Sequence, residues 1–156
     1  VIRAEQGQTM AVFNAPLPQG DHAWRAVQAA QLLQKDMAQQ YDMLPDDHVY
    51  REIQLAFVVN TGRAVVGYAG AGERSTFTVL GEAVTLADYL IVEANAGQIL
   101  LGEQSYTETA ESVTAVPLKP LRLKEGAEAV PAYAIDLYED GEEQMKAEAN
   151  PLVTNR

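Results

Sequence analysis

Apolar and polar positions along the chain fall into short blocks with two different periods. "TMAVFNAP" (9–16) is a dense apolar run ending at Pro16, which predicts a buried strand closing into a loop. "LPQGDHAW" follows with turn residues, and Asp21 stands where a helix N-cap is expected. From 21 to 41, Trp24, Val27, Ala30, Leu33 and Met37 recur at helical spacing. Pro45, in "MLPDDH", breaks that helix.

The second half of the pattern is mixed. Ile53, Leu55, Phe57 and Val59 alternate within 50–62, the period of a half-buried strand. "RAVVGYAGAG" (63–72) predicts a strand running into a glycine-rich turn, with "STFTVLG" (75–81) as its hairpin partner. Ala83, Val84, Ala87, Leu90, Ile91 and Ala94 then mark one face of a helix. "AGQILLGEQSYTE" predicts a short strand and a short helix. Residues 120–138 predict two strands around a turn at Gly126. The acidic, aperiodic segment 139–156 is expected to be a tail or linker after a domain spanning 1–138. Hairpins interleaved with helices predict an α+β sandwich, a mainly antiparallel sheet with helices on one face.

Composition narrows the partners. The 156 residues make one domain of ordinary size, and 47% are hydrophobic, enough for a core. Eleven basic against 22 acidic residues give a net charge of −11, which disfavours nucleic acid and anionic membranes. No cysteine is present, so disulfides, thiolate nucleophiles and cysteine zinc sites are excluded. This fits a cytoplasmic protein. No apolar run approaches the roughly 20 residues that span a bilayer. The opening "VIRAEQGQ" lacks the pattern of a signal peptide and an initiator Met, so the sequence reads as a piece of a longer polypeptide.

Taken in order, "MAVFNAP", "DHAWRAVQAA", "NTGRAVVGYAG", "STFTVLGEAVTLADYL", "AGQILLGEQSY" and "LKPLRLKEGAEAVPAYAI" resemble the catalytic domain of class III adenylate and guanylate cyclases. The resemblance runs over roughly residues 1 to 137 and keeps the family's order and spacing. It implies a ferredoxin-like core that dimerises head to tail, with nucleotide sites at the dimer interface. In the family, a strand bearing a metal-binding Asp and two helices precede the segment with which this sequence begins. Another part of the protein or a partner is expected to supply them.

The resemblance also locates the family's chemistry, and most of those positions are substituted. Family cyclases hold two divalent ions with two carboxylates. The second belongs to a Gly-Asp pair ahead of the Met of "MAVF". Counting back from Met10 reaches Gly7, which has no ligand atom. Neither Gln6 nor Gln8 is a carboxylate, and Glu5 is the nearest acid. The base-reading Lys falls on Arg3. The second base reader falls on Glu82, whose carboxylate can accept from an adenine amino group. The alternative is that Glu82 only complements the helix dipole. The family's Asn and Arg that steady the transition state fall on Thr85 and Tyr89. Loss of one such stabiliser costs about 3 kcal/mol of activation free energy. An asymmetric pair does not rescue the chain. One role needs Asp at position 7, and the other needs Asn and Arg at 85 and 89.

Other candidates are weaker. "GYAGAG" lacks the Lys-Ser/Thr of a phosphate loop and reads as a hairpin turn. His22 and His48 are far apart, so a metal site there is not expected. Ser75 and Ser105 have no nearby His. Asp46 and Asp47 solvate a turn, and Trp24 belongs to the core or a dimer surface. The expectation is therefore a catalytically degenerate cyclase-homology domain, regulatory or dimerising, binding ATP or GTP weakly through Arg3, Glu82 and Thr85. It would pair with itself or a related domain and need no cofactor. Two alternatives stand: a working adenylate cyclase using magnesium or manganese, and a scaffold whose cleft binds nothing.

Overall fold

The computed structural model describes residues 2–5, by their backbone, and 7–72, 75–122 and 129–135. Strands β1 (Ile2–Glu5) and β2 (Gln8–Ala11) form an antiparallel hairpin. Helix α1 (His22–Asp42) follows, then a 3₁₀ turn at Val49–Glu52 and strand β3 (Phe57–Val59). Strands β4 (Val65–Ala69) and β5 (Thr76–Leu80) make a second hairpin that hands over to α2 (Glu82–Glu93). After these come β6 (Ile99–Gly102), α3 (Glu103–Thr109), β7 (Ala115–Pro117), the short pair β8 (Leu121–Arg122) and β9 (Ala129–Val130), and β10 (Ala132–Ile135).

The main sheet has the order β3-β6-β10-β7. β3 and β6 run parallel, Phe57 opposite Ile99 and Val59 opposite Leu101. β10 is antiparallel to both β6 and β7. β6 is buried along its whole length, with Ile99, Leu100 and Leu101 fully inaccessible. That is the mark of a central strand covered on both faces. Val27 and Ala30 of α1 pack with Val59, Ile99, Leu101, Val113 and Ile135, and Trp24 and Tyr106 lean on the same cluster. α1 and α3 therefore share one face of the sheet. Leu100 points the other way by strand alternation. The fully buried Leu90 belongs to α2, which lies against β3 and β6. The second face is covered by α2. Tyr106 and Tyr133 stack 3.9 Å apart and fasten α3 to β10.

Several local expectations need correction. The strand expected over 9–16 is shorter and mostly exposed, because among the described residues β2 pairs with β1 alone and lies outside the four-stranded sheet. Asp21 occupies the N-cap position of α1, but its side chain does not cap: it accepts from Arg25 Nε at 2.7 Å. Leu33 is 53% exposed, because the buried side of α1 runs through Ala23, Val27 and Ala30. The alternation at 53–59 becomes strand only from Phe57. Ile53 and Leu55 remain exposed. Of the pair expected over 120–138, β8–β9 and β10 are seen, while Gly126 and the segment 139–156 lie outside the described residues.

Candidate functional site

The strand–helix junction is built around Gly81. Its backbone angles, φ 148° and ψ 174°, lie in a region open only to glycine. A Cβ at this position would sit 2.7 Å from the Arg63 carbonyl oxygen and 3.0 Å from Ala64 Cα. The chain can therefore pass from β5 into α2 hard against the 60–64 segment only because residue 81 has no side chain. Gly81 also supplies the carbonyl that accepts from the Val84 and Thr85 amides, opening the helix.

Three of the expected positions lie on α2. Glu82, Thr85 and Tyr89 stand at i, i+3 and i+7 and so share one side of the helix. Glu82 is exposed at the first helical position. Among the described residues it takes no hydrogen bond or ion pair, so an acceptor is left open at a helix N-terminus. Thr85 is exposed, and its hydroxyl reaches back to the Gly81 carbonyl at 3.4 Å, a long bond that leaves it available. Tyr89 is half-buried and already engaged. The charged side chains of α2 are Glu82, Asp88 and Glu93, all acidic, so the helix offers no cation to a polyphosphate.

The other two positions lie on the β1–β2 hairpin. Arg3 is in β1, opposite Met10, and its side chain lies outside the described residues, as does that of Glu5. Gly7 is exposed in the turn at φ 77°, with open space around it. The ladder of this hairpin does not join that of the main sheet among the described residues.

A divalent cation, which cyclase chemistry requires, does not fit the donor set described. Gly7 offers no oxygen beyond its backbone, and no three His, Asp or Glu side chains converge among the described residues. His22 Nε2 faces Glu108 at 3.7 Å, while His48 accepts from the Tyr50 amide at 3.3 Å. The two histidines thus belong to separate local contacts. The glycines after Ala69 turn the β4–β5 hairpin, as expected. Ser105 is fully buried and bonded to Thr61, which accounts for it without catalysis. Asp46 pairs with Arg51 at 3.2 Å. An apolar groove of about 450 Å³ is lined by Met37, Tyr41, Met43, Leu44, Tyr50 and Ile53 and shares no residue with the junction.

Sequence reasoning missed the polar segment that receives α2. Asn60, just past β3, donates from Nδ2 to the Ala83 carbonyl at 2.7 Å. Gly62 lies under Ala83, where a Cβ would meet the alanine methyl at 3.1 Å. The run "NTG" carries these residues, but nothing in the sequence itself says that Asn60 reaches a helix 23 residues further on.

Comparison with known proteins agrees with this architecture. No protein-family model matches the chain. Adenylate cyclase 1 of Rhizobium meliloti (strain 1021) is 32% identical over 95 residues, 58% of this chain. The chain spans only 13% of that relative. Among solved structures, the adenylyl cyclase CyaB from P. aeruginosa superposes with a TM-score of 0.68 at 24% identity, over 86% of this chain and 70% of that one. The guanylate cyclase domain of RhGC from Catenaria anguillulae, solved in complex with GTP, gives 0.67 at 18% identity, over 86% and 71%. The fold is that of the class III nucleotide cyclase catalytic domain. Its α+β, ferredoxin-like character is as the sequence predicts.

Proposed function

We propose that this chain is a cyclase-homology domain of a signalling protein in which the catalytic positions are substituted, leaving a regulatory or dimerising role with weak binding of ATP or GTP. The observation that carries the reading is the content of α2. By the resemblance, α2 corresponds to the family's nucleotide-facing element, and it presents Glu82, Thr85 and Tyr89 with no basic side chain. A domain of this kind retains a base-reading acceptor in Glu82 and loses the charge stabilisation that turnover needs. Among the described residues no three His, Asp or Glu side chains converge to hold magnesium or manganese. Dimerisation with a second copy or a related domain is supported by the exposed apolar residues Val65, Tyr68, Leu80 and Val92 on the second hairpin and α2.

The experiment is cyclic nucleotide production from ATP and from GTP, with manganese and then magnesium. It compares the unmodified chain with the variant Gly7→Asp, Thr85→Asn, Tyr89→Arg. No turnover by the unmodified chain, with activity gained by the variant, is the expected result. Turnover by the unmodified chain overturns the reading in favour of a working adenylate cyclase, the activity named for the R. meliloti relative. Binding is measured separately as thermal stabilisation by nucleotide. A ligand at ten times its Kd adds about 1.4 kcal/mol to a folded state that alone binds it. No shift would leave a scaffold.

A further inference from the structure

Two buried-side contacts around residue 60 lack a backbone explanation. Gly102 opens α3 at φ −70° and ψ 161°, angles any residue adopts. Yet a Cβ there would overlap Asn60 Oδ1 and lie 3.1 Å from its Cγ. Glycine at 102 is therefore a matter of room, and what occupies the room is the Asn60 carboxamide. With its oxygen over Gly102, the amide nitrogen is aimed at the Ala83 carbonyl. Donor and acceptor match, which also fixes the sense of the carboxamide. Beside it, the fully buried Ser105 hydroxyl donates to Thr61 Oγ1 at 2.9 Å, and Thr109 Oγ1 donates to the Ser105 carbonyl at 2.7 Å. The segment 60–61 is thus tied to α3 on one side and to α2 on the other.

We infer that Asn60 is the positioning residue of the α2 face: its carboxamide, seated over Gly102, locks the first turn of α2 and so sets where Glu82 and Thr85 stand. The latch is a local device. Val84 and Thr85 hang on the Gly81 carbonyl, and the Ala83 carbonyl carries the next turn of the helix. Removing the Asn60 donor frees that turn and leaves the β3–β6 ladder untouched. The consequence for ligand binding rests on the nucleotide reading above, whereas the latch itself does not.

The test uses the whole chain and four variants: Asn60→Ala, Asn60→Asp, Gly102→Ala, and Asn60→Ala with Gly102→Ala. Native-state hydrogen exchange at the amides of 84–87 is read against those of Leu100 and Leu101. Loss of the donor lowers protection at 84–87 by roughly five- to ten-fold and leaves the sheet amides unchanged. Gly102→Ala displaces the same carboxamide, so the double variant falls no further than the larger single one. Asn60→Asp is open at about pH 8 and recovers protection only as pH falls below about 4, the ordinary aspartate range, where a neutral carboxyl again donates; Asn60→Ala recovers none.

Unchanged protection at 84–87 in Asn60→Ala, or multiplicative losses in the double variant, would overturn the latch. ATP- and GTP-induced thermal shifts are recorded in parallel. Their loss in Asn60→Ala, with the sheet intact, supports the positioning role; retention alongside lowered protection overturns it. Failure of the unmodified chain to respond to either nucleotide would overturn the nucleotide reading alone, and hydrogen exchange still decides the latch.

Discussion

Replacing Gly81 by Ala tests the junction most directly. The substitution forces an L side chain into a conformation with φ 148° and ψ 174°, which costs about 1–3 kcal/mol. It also drives a methyl to 2.7 Å from the Arg63 carbonyl oxygen and 3.0 Å from Ala64 Cα. Both are backbone atoms, so neither can rotate aside, and overpacking of this kind adds about 1–3 kcal/mol. The sum, about 3 kcal/mol at its lower middle, corresponds to a fall in Tm of about 6–12 °C for a domain of this size. Urea denaturation of the unmodified and variant chains gives the difference at constant m-value. Gly67→Ala is the control. Gly67 lies in β4 with nothing within 4 Å of a built Cβ, so alanine there is neutral or stabilises by about 0.5–1 kcal/mol. A Gly81→Ala penalty below about 1 kcal/mol would refute the argument that the missing side chain lets β5 enter α2 at this angle.

Three further predictions concern the frame around the junction. Leu101→Ala removes a fully buried side chain from the main cluster and should cost about 2–5 kcal/mol by denaturant melt, whereas Leu33→Ala, at 53% exposure, should cost little. Ser105→Ala deprives Thr61 of its donor in a buried setting and should cost about 1–3 kcal/mol, less if Thr61 finds another partner. The Arg25 guanidinium bonded to Asp21 holds that carboxyl below the usual carboxylate range. The folded chain therefore binds this proton less readily than the unfolded one. The stabilisation is present above the unfolded carboxylate value and is lost as pH falls through the lower folded value. Asp21→Asn should flatten that part of the acid limb of a stability–pH curve. Because the pair is exposed, high salt should erase the difference.

Elements whose partners are close in sequence are legible in the sequence itself. The period of α2, the β4–β5 hairpin and the step from Ile99–Gly102 into α3 all follow from local pattern. Alternation misleads at Ile53 and Leu55, because a period of two fits any extended apolar segment and says nothing of whether a neighbouring strand exists to pair with it. β7 escapes the pattern for the converse reason: three residues ending in Pro117 carry almost no period, and their strand character comes from β10. The site divides the same way. Glu82, Thr85 and Tyr89 share a face by helical arithmetic alone. Asn60, Gly102 and Ser105 meet only once β3, β6 and α3 are assembled, and each is an ordinary residue in its local context.

The order of strands in the main sheet also governs how the chain must assemble. Its two inner strands are β6 and β10, and the latter ends at Ile135. The hairpins β1–β2 and β4–β5 close over short loops and can form as they are made, but β3 must wait for Ile99 and β6 for Ala132. A growing chain therefore carries α1 with Val27 and Ala30 uncovered until β6 and β10 have been made. The sheet that buries them is completed late, by pairings distant in sequence. Translation speed beyond residue 100 and chaperone occupancy of α1 thus become determinants of yield, and a nascent chain halted before β10 would present its apolar helix face to its neighbours on the polysome.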